Sequence, residues 1–430
     1  MASIVWLSPT PPARTGVATY SSAVLSGLRA TRALAGHRLA SPWPLPGTVF
    51  DLVGAANLPV YHVGNNAEFH ADIYRLALRY PGLVVLHDLA LDDLIRAFLD
   101  RGDPVGGRAE AEADAARERL VRARPDITGP LEVPWCAHLV RRARGVIVHS
   151  TFGREYLEAF GCRTPVFVVP HPVVQAPWSA RRAQARAPKI RDRMGGRLVI
   201  GVLGDIGEPK RIDVVLAAAA RLEAPIHVAV VGRTIPGYEI EEVVRASGIG
   251  YRVTVESDVS EADFYAWLEA TDVVVNLRDP HRGEVSGTLM RAMAVGKPVI
   301  VQAEGSYLDL PQEAVVRIGR GPPDPRELAG ALERLLAHPK LRWWIGDRAR
   351  HHVEQLGRTH STEMGYAGAI ERTLALVRDP ARSAVTRWAR ALSSVGAGER
   401  DAPLGERYAA AVAALAGAGV PGVGWYRDAV

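Results

Sequence analysis

Residues 272–301 have the sequence DVVVNLRDPHRGEVSGTLMRAMAVGKPVIV. A short apolar run ends in a loop, a helical pattern opens near Ser286, and a Gly-Lys-Pro turn precedes a second apolar run. Apolar runs joined by a helix are typical of parallel strands, and open α/β sheets bind ligands just beyond the carboxyl ends of such strands. The stretch therefore predicts an α/β domain with a ligand-binding loop over residues 278–288.

The same alternation of apolar runs and helical patterns extends along most of the chain. It predicts strands at residues 4–7, 60–63, 83–87, 146–149, 166–169, 198–203, 226–231, 252–255, 272–277, 299–301 and 315–318. Between the two series lies a Pro-, Ala- and Arg-rich stretch, residues 177–196, without apolar periodicity. We expect two Rossmann-like, doubly wound domains facing across a cleft. Their predicted extents are an N-terminal domain over residues 1–178, a linker over 179–196, a C-terminal domain over 197–360, and a helical segment and tail over 361–430.

Composition restricts the kinds of partner. The 430 residues carry a formal net charge of +5, and the basic residues are spread along the chain. This pattern does not favour nucleic acid, which requires a concentrated basic face, but it suits an anionic small molecule. The two cysteines form no metal or disulfide pattern, and no apolar run approaches the roughly 20 residues that span a bilayer. We expect a cytoplasmic protein with at most peripheral contact at the inner face of the membrane.

Two candidate ligand positions lie in the first half. The loop after the first strand contains Gly16 and opens a helix, whose free amide groups suit an anion. An ordinary βα loop would have the same sequence features. His87 and Asp88 end a buried strand, where an imidazole can hydrogen-bond a ligand hydroxyl while the carboxylate orients it or contacts a second substrate. A structural cap is the alternative for this pair.

A glycine-rich loop opens the second half and is followed by Lys210 and Arg211. Two cations at a helix start suit a diphosphate. The spacing of Gly201, Gly204 and Gly207 is also similar to NADP-binding loops, with Arg233 placed to meet a 2′-phosphate. An NADP-dependent oxidoreductase therefore stays open, although no Tyr-x-x-x-Lys pair accompanies the loop.

The loop at residues 278–288 carries the most specific pattern. Ser286, Gly287 and Thr288 begin a helix and offer unpaired amide groups to an anion. Glu284 stands just ahead of them and is placed to accept hydrogen bonds from vicinal hydroxyls. A carboxylate that only caps the helix is the alternative.

Residues 284–301 resemble the signature of the family-four retaining glycosyltransferases of GT-B fold, in which Glu-x-Phe-Gly is followed by Glu-Ala-Met-Ala and Gly-Lys-Pro-Val-Ile. The stretches PPARTGVATY (residues 11–20), YHVGNN (61–66) and VLHDL (85–89) are similar to a bacterial polysaccharide and mannosyltransferase subgroup. The resemblance covers about residues 1–375 in motif order.

The resemblance implies a role for each candidate. Lys210 would hold the donor diphosphate, Ser286 to Thr288 the phosphates, and Glu284 the hydroxyls of the donor sugar. Gly16 would close over the diphosphate, and His87 would contact the transferred sugar. The implied reaction moves a hexose from a GDP- or UDP-sugar to a hydroxyl of a glycan, a lipid-linked or a small-molecule acceptor, with retention of configuration. No Asp-x-Asp motif occurs, so we expect neither a metal nor another cofactor.

Two positions depart from the family pattern. Arg291 stands where the family has a ribose-binding glutamate, and Asp205 stands where it has an arginine. Arg211 is then the candidate to supply the missing cation. Arg291 either contacts donor phosphate or is structural, because a guanidinium can only donate hydrogen bonds. A catalytically inactive GT-B subunit that binds a partner or a glycan therefore remains an alternative.

Overall fold

We describe the protein from a computed structural model that covers residues 1–173, 177–359 and 362–378. The predicted tail beyond residue 378 lies outside the described residues. Within them, no helix is both long and apolar enough to cross a bilayer.

The N-terminal domain is built on a six-stranded sheet with the strand order β2-β1-β3-β4-β5-β6. All of its strand pairs are parallel. Its strands are β1 Ala2–Leu7, β2 His37–Ala40, β3 Leu58–Val63, β4 Leu83–Leu86, β5 Gly145–Val148 and β6 Val166–Val168. The strand order reverses between β1 and β3, and ligands of doubly wound sheets bind at such a switch point.

The C-terminal domain has a second six-stranded sheet, ordered β12-β11-β10-β7-β8-β9 and again parallel. Its strands are β7 Leu198–Leu203, β8 Ile226–Gly232, β9 Val253–Ser257, β10 Val273–Val275, β11 Val299–Gln302 and β12 Val316–Ile318. The switch point lies between β7 and β10, the two strands that precede the predicted diphosphate loop and the Glu284 loop. The prediction of two Rossmann-like domains is confirmed.

Helices cover both faces of each sheet, so the central strands are almost entirely apolar and buried. The helices are α1 Gly16–Ala30, α2 Val49–Ala55, α3 Ala67–Arg79, α4 Asp92–Leu99, α5 Pro104–Ala123, α6 Ala137–Val140, α7 Thr151–Ala159, α8 Pro177–Arg193, α9 Ile212–Ala219, α10 Ile240–Ala246, α11 Glu261–Ala270, α12 Gly287–Ala294, α13 Pro325–Ala337, α14 Pro339–Thr359 and α15 Thr362–Arg378.

The stretch predicted as a linker, residues 179–196, is mostly helical, because it lies largely within α8. Ala183, Ala187, Ile190 and Met194 are buried and join the core of the C-terminal domain beside α11. Their spacing of three and four residues is that of one helix face. The periodicity is hard to detect in the sequence because two of the four residues are alanines.

The last described helix returns to the N-terminal domain. On α15, the Tyr366 hydroxyl lies 2.6 Å from that of Tyr20 on α1, and both side chains are buried. Ile370 and Leu374 join the same core cluster as Ile4 in β1. The N-terminal domain is therefore assembled from both ends of the described chain.

Candidate active site

A buried lysine organises the switch point of the C-terminal domain. Lys210 is 1% exposed, and its Nζ donates a hydrogen bond of 2.9 Å to Oδ1 of Asn276, which follows β10. Burial and the nearby Arg278 lower the pKa of Lys210 well below its usual value. An anionic ligand would reverse this effect by stabilising the ammonium form. The lysine therefore occupies a position suited to a diphosphate.

Gly204 brings the loop after β7 against the start of α12. Its φ is +105°, and a Cβ atom there would lie 2.6 Å from Oγ1 of Thr288 and 3.6 Å from Nζ of Lys210. A side chain at this position would therefore fill the space between the lysine and the helix.

The start of α12 offers two backbone donors. Ser286 caps the helix by accepting a hydrogen bond from the Leu289 amide, and its hydroxyl also lies 3.3 Å from Oδ1 of Asn276. Because its hydroxyl is used in this way, Ser286 positions the helix. The amides of Gly287 and Thr288 have no hydrogen-bond partner within the described part of the chain. They lie at the positive end of the helix dipole, beside Lys210.

Glu284 is held by donors from its own loop. One carboxylate oxygen accepts a 2.8 Å hydrogen bond from the Arg282 amide, and the other lies 3.2 Å from Nε of Arg278. Burial would raise the pKa of Glu284, but His281 and Arg278 outweigh it and lower that pKa. Glu284 is therefore an ionised hydrogen-bond acceptor.

Arg278 is a site residue that sequence reasoning missed. It contacts Glu284 and acts on the pKa of Lys210, so it links the carboxylate to the lysine. Its position one residue after a predicted buried strand was the signal that could have identified it.

Arg211, predicted as a second diphosphate ligand, is already engaged. Its guanidinium forms ion pairs with Asp213 and Asp279. Arg233, the residue considered for a 2′-phosphate, is likewise paired with Asp205 at 2.9 Å. Arg278 is therefore better placed than Arg211 to supply a second cation next to Lys210.

Arg291 packs against helix α11. Its guanidinium carbon lies 5.5 Å from the ring centre of Phe264 and 5.6 Å from that of Tyr265, and a terminal nitrogen is 4.0 Å from Glu261. These contacts favour the structural role over the phosphate-binding one.

On the N-terminal side, Gly16 is the first residue of α1, which Thr15 caps by accepting a hydrogen bond from the Val17 amide. A Cβ atom at Gly16 would meet no atom within 4 Å, so the space above this helix start is open. The same loop reaches the C-terminal domain through an ion pair of 2.9 Å between Arg14 and Asp258.

His87 and Asp88 follow β4, and both are half-buried. Nε2 of His87 lies 3.0 Å from Nδ1 of His62, and Oδ2 of Asp88 accepts a 2.8 Å hydrogen bond from the Asn65 amide. Burial and the nearby Glu284 raise the pKa of Asp88 to about 7. The pair is thus fixed at the carboxyl edge of the N-terminal sheet.

The two domains meet through the loop that carries Glu284. The Arg282 carbonyl accepts hydrogen bonds from the amides of Leu89 and Ala90, and its guanidinium pairs with Asp92 and Asp93. The next residue, Gly283, has a φ of +81°, and a Cβ there would lie 2.6 Å from Leu89. The structure thus brings together Glu284, Lys210 and the start of α12, with His87 and Asp88 opposite them. It does not bring Arg211 or Arg291 into this group as free cations.

This arrangement of two parallel α/β domains, with ligand loops at facing carboxyl edges, defines the GT-B fold. Sucrose-phosphate synthase from Thermosynechococcus elongatus has a similar structure, with a TM-score of 0.60 and 17% identity over 85% of this chain and 98% of that one. The Anabaena protein HepE in complex with UDP-glucose gives a TM-score of 0.59 with 15% identity over 87% of this chain and 100% of that one. WaaG, a glycosyltransferase involved in lipopolysaccharide biosynthesis, gives a TM-score of 0.56 with 15% identity over 86% and 99% of the two chains.

Sequence comparison adds a family for the C-terminal domain. Residues 197–338 match the family described as "Glycosyl transferases group 1". The curated alpha-D-kanosaminyltransferase of Streptomyces kanamyceticus is 25% identical over 238 residues, which cover 52% of this chain and 59% of that protein. The chain thus spans about three fifths of that relative's length.

Proposed function

We propose that this protein is a glycosyltransferase that moves a hexose from a nucleoside diphosphate sugar, a GDP- or UDP-sugar, to a hydroxyl acceptor with retention of configuration. One observation carries the proposal: a buried lysine, a second cation and two free helix amides converge beside an ionised carboxylate. That carboxylate, Glu284, has a lowered pKa, and its ionised oxygens can accept hydrogen bonds from sugar hydroxyls. The family match over residues 197–338 supports the same class of reaction.

The cations and amides would stabilise the departing diphosphate. A bound diphosphate would stabilise the charged form of Lys210 beside the cation of Arg278, and the amides of Gly287 and Thr288 add the positive end of α12. Groups fixed in advance do not reorganise as charge develops, which is how they lower the barrier of such a step. With these groups in place we propose that no metal ion and no other cofactor is required.

The N-terminal domain would supply the other side of the reaction. His87 and Asp88 stand opposite Glu284, held there by the contacts of Arg282 with Leu89, Asp92 and Asp93. His87 would contact the transferred sugar, and Asp88 would orient His87 or contact the acceptor. Contact between the domains excludes water, which would otherwise compete for the sugar. The acceptor is a glycan, a lipid-linked or a small-molecule hydroxyl.

The test is a donor panel on the purified full-length chain. The rise in melting temperature with UDP, GDP and their sugars identifies the base of the donor. Release of nucleoside diphosphate, with and without candidate acceptors, measures turnover. Glu284→Gln is the matched variant, because it keeps the size of the side chain but removes its charge. We expect stabilisation by one nucleoside diphosphate, product formation that survives excess EDTA, and its loss in Glu284→Gln.

Two results would overturn the proposal. Stabilisation by NADP, with no response to any nucleoside diphosphate, would favour the oxidoreductase. Binding of a nucleoside diphosphate without turnover of any donor would favour a non-catalytic GT-B subunit. Activity that is lost in EDTA and restored by magnesium or manganese would contradict only the proposal that no metal ion is required.

A further inference from the structure

Four neighbouring strands of the N-terminal sheet each have one histidine at their carboxyl ends and on the same face of the sheet; the first lies within β3, and the other three follow β4, β5 and β6. Side chains two residues apart point to the same side of a strand, and the residues two positions before these histidines join one core cluster under α1 and α15. The four histidines are His62, His87, His149 and His171. Tyr20 lies among them, with ring centres 4.7 to 5.9 Å from theirs.

These imidazoles are neutral at physiological pH. Burial, together with the neighbouring histidines, lowers the pKa of His62 and of His87 well below 6.5, and burial lowers that of His149 to about 4. A neutral imidazole carries one proton, so one ring nitrogen donates a hydrogen bond and the other accepts one. In such a cluster, hydrogen bonds determine which nitrogen carries the proton.

The contact between His62 and His87 links their two tautomers. Nδ1 of His62 and Nε2 of His87 are 3.0 Å apart, so one of them carries the shared proton. The second nitrogen of His62, Nε2, is buried and has no hydrogen-bond partner within the described part of the chain. Orphaned buried N–H groups are rarer in proteins than acceptors with an unused lone pair. Nε2 of His62 is therefore the bare nitrogen, and its Nδ1–H is the donor.

We infer that His62 is a positioning residue that holds His87 in the tautomer with its proton on Nδ1. His87 then accepts at Nε2 and presents an N–H at Nδ1, which has no hydrogen-bond partner among the described residues. Because His87 is half-buried at the edge facing Glu284, this N–H is available to a substrate oxygen. His87 thus serves as a hydrogen-bond donor towards the sugar. This use of the N–H rests on the proposed function, whereas the tautomer itself does not.

The structure offers matched variants for a test. His62→Phe keeps an aromatic ring but removes the donor, and His62→Asn keeps an N–H donor at the position of Nδ1. His149→Phe removes another imidazole of the cluster, which packs against His87 at 5.6 Å between ring centres and whose Nδ1 lies 2.8 Å from the Val169 carbonyl, but it leaves both atoms of the hydrogen bond between His62 and His87 in place. His149→Phe therefore shows whether the loss of any histidine from the cluster is enough to change the tautomer of His87.

The experiment records long-range proton–nitrogen correlations of the full chain labelled with nitrogen-15 histidine, with His87 assigned from the spectrum of His87→Gln. We expect a protonated Nδ1 and a bare Nε2 for His87 in the wild type, in His62→Asn and in His149→Phe. In His62→Phe we expect the other tautomer to appear. A wild-type His87 with its proton on Nε2 would overturn the inference even if no variant folds, and so would an unchanged tautomer in a folded His62→Phe.

Kinetics separate this inference from the proposed function. If the chain is a glycosyltransferase, His62→Phe should lower kcat roughly tenfold, as loss of a supporting hydrogen bond commonly does, with less effect on the KM for the donor. His62→Asn should restore part of the loss. The predicted tautomer without turnover of any donor would mean that only the function is wrong. Full turnover in His62→Phe, with its tautomer changed, would mean that the donor role of His87 is wrong.

Discussion

The Leu89 amide in the N-terminal domain donates a 2.8 Å hydrogen bond to the Arg282 carbonyl in the C-terminal domain. It joins the loop after His87 and Asp88 to the loop that carries Glu284. Because backbone atoms make this hydrogen bond, it can still form when Arg282 is substituted, and only the ion pairs with Asp92 and Asp93 are removed. Substitution of Arg282 therefore tests what its side chain contributes to the contact between the domains.

Arg282→Ala should lower kcat roughly tenfold, because the half-buried ion pairs that align the facing loops are lost. Arg14→Ala is the control. It breaks a different interdomain ion pair, in which the side chains are 72% and 50% exposed, and such exposed pairs contribute little. Steady-state kinetics with a saturating donor measure both variants. Equal losses in the two variants would mean that any interdomain contact, rather than alignment of Glu284 with His87, limits turnover.

Glu284→Gln should lower kcat by roughly 10²-fold or more, because the ionised carboxylate strengthens its hydrogen bonds to donor hydroxyls as charge develops. The melting temperature should change little, since glutamine retains an oxygen that can accept from the Arg282 amide. Turnover and thermal unfolding are measured on the same preparation. Unaltered turnover at saturating donor would contradict the role assigned to Glu284.

Lys210→Ala should weaken binding of a bare nucleoside diphosphate and of its sugar conjugate by a similar factor, roughly 10- to 100-fold for a lost charged hydrogen bond. Lys297→Ala is the control, because Lys297 is half-buried and its Nζ likewise donates a hydrogen bond, to the Glu269 carbonyl. Calorimetric titration gives both affinities. If only the binding of the sugar conjugate is weakened, Lys210 contacts the sugar and not the diphosphate.

Asp88→Asn should stabilise the protein at pH 8 more than at pH 5. The folded-state pKa of about 7 lies above the unfolded value near 4, so the folded state holds an extra proton between these values. The wild type therefore loses stability as the pH rises through this window. Asp88→Asn does not, because asparagine has no proton to lose. We expect a gain in Tm of at least about 2 °C at pH 8. An equal gain at both pH values would mean that Asp88 titrates outside this window.

Arg291→Ala should destabilise the fold by about 1–2 kcal/mol through its lost contacts with Phe264 and Tyr265. Affinity for a bare nucleoside diphosphate should stay within about threefold, as is usual for residues outside a site. Urea unfolding and calorimetry measure the two effects. Tighter donor binding by Arg291→Glu would instead identify a lapsed ribose site and favour the non-catalytic subunit.

Most of the fold could be predicted because its strands are buried on both faces and form continuous apolar runs. β2 was missed, since His37–Ala40 is an edge strand with alternating exposure and no apolar run. The helical form of α8 is not evident from the sequence, because alanine supplies half of its buried face. Both elements are hard to predict because burial leaves little trace in their residue types.

The residues of the candidate site could likewise be predicted only in part. Lys210, Glu284 and His87 could be placed from the sequence, since each follows a recognisable strand, and their roles stay predictions. The preference for Arg278 over Arg211 could not be foreseen, because it depends on which carboxylates lie nearby in space: Asp279 pairs with Arg211, while Glu284 pairs with Arg278. The pairing of His62 with His87 likewise depends on strand register.

The return of α15 to the N-terminal domain has a consequence during synthesis of the chain. Tyr366 covers Trp6 and Tyr20, which lie within the first strand and the first helix. The first domain to leave the ribosome therefore cannot complete its core until Leu374 has been translated, whereas the core of residues 183–356 is already available by then. The C-terminal domain can thus complete its core first, while apolar surface of the N-terminal domain stays uncovered.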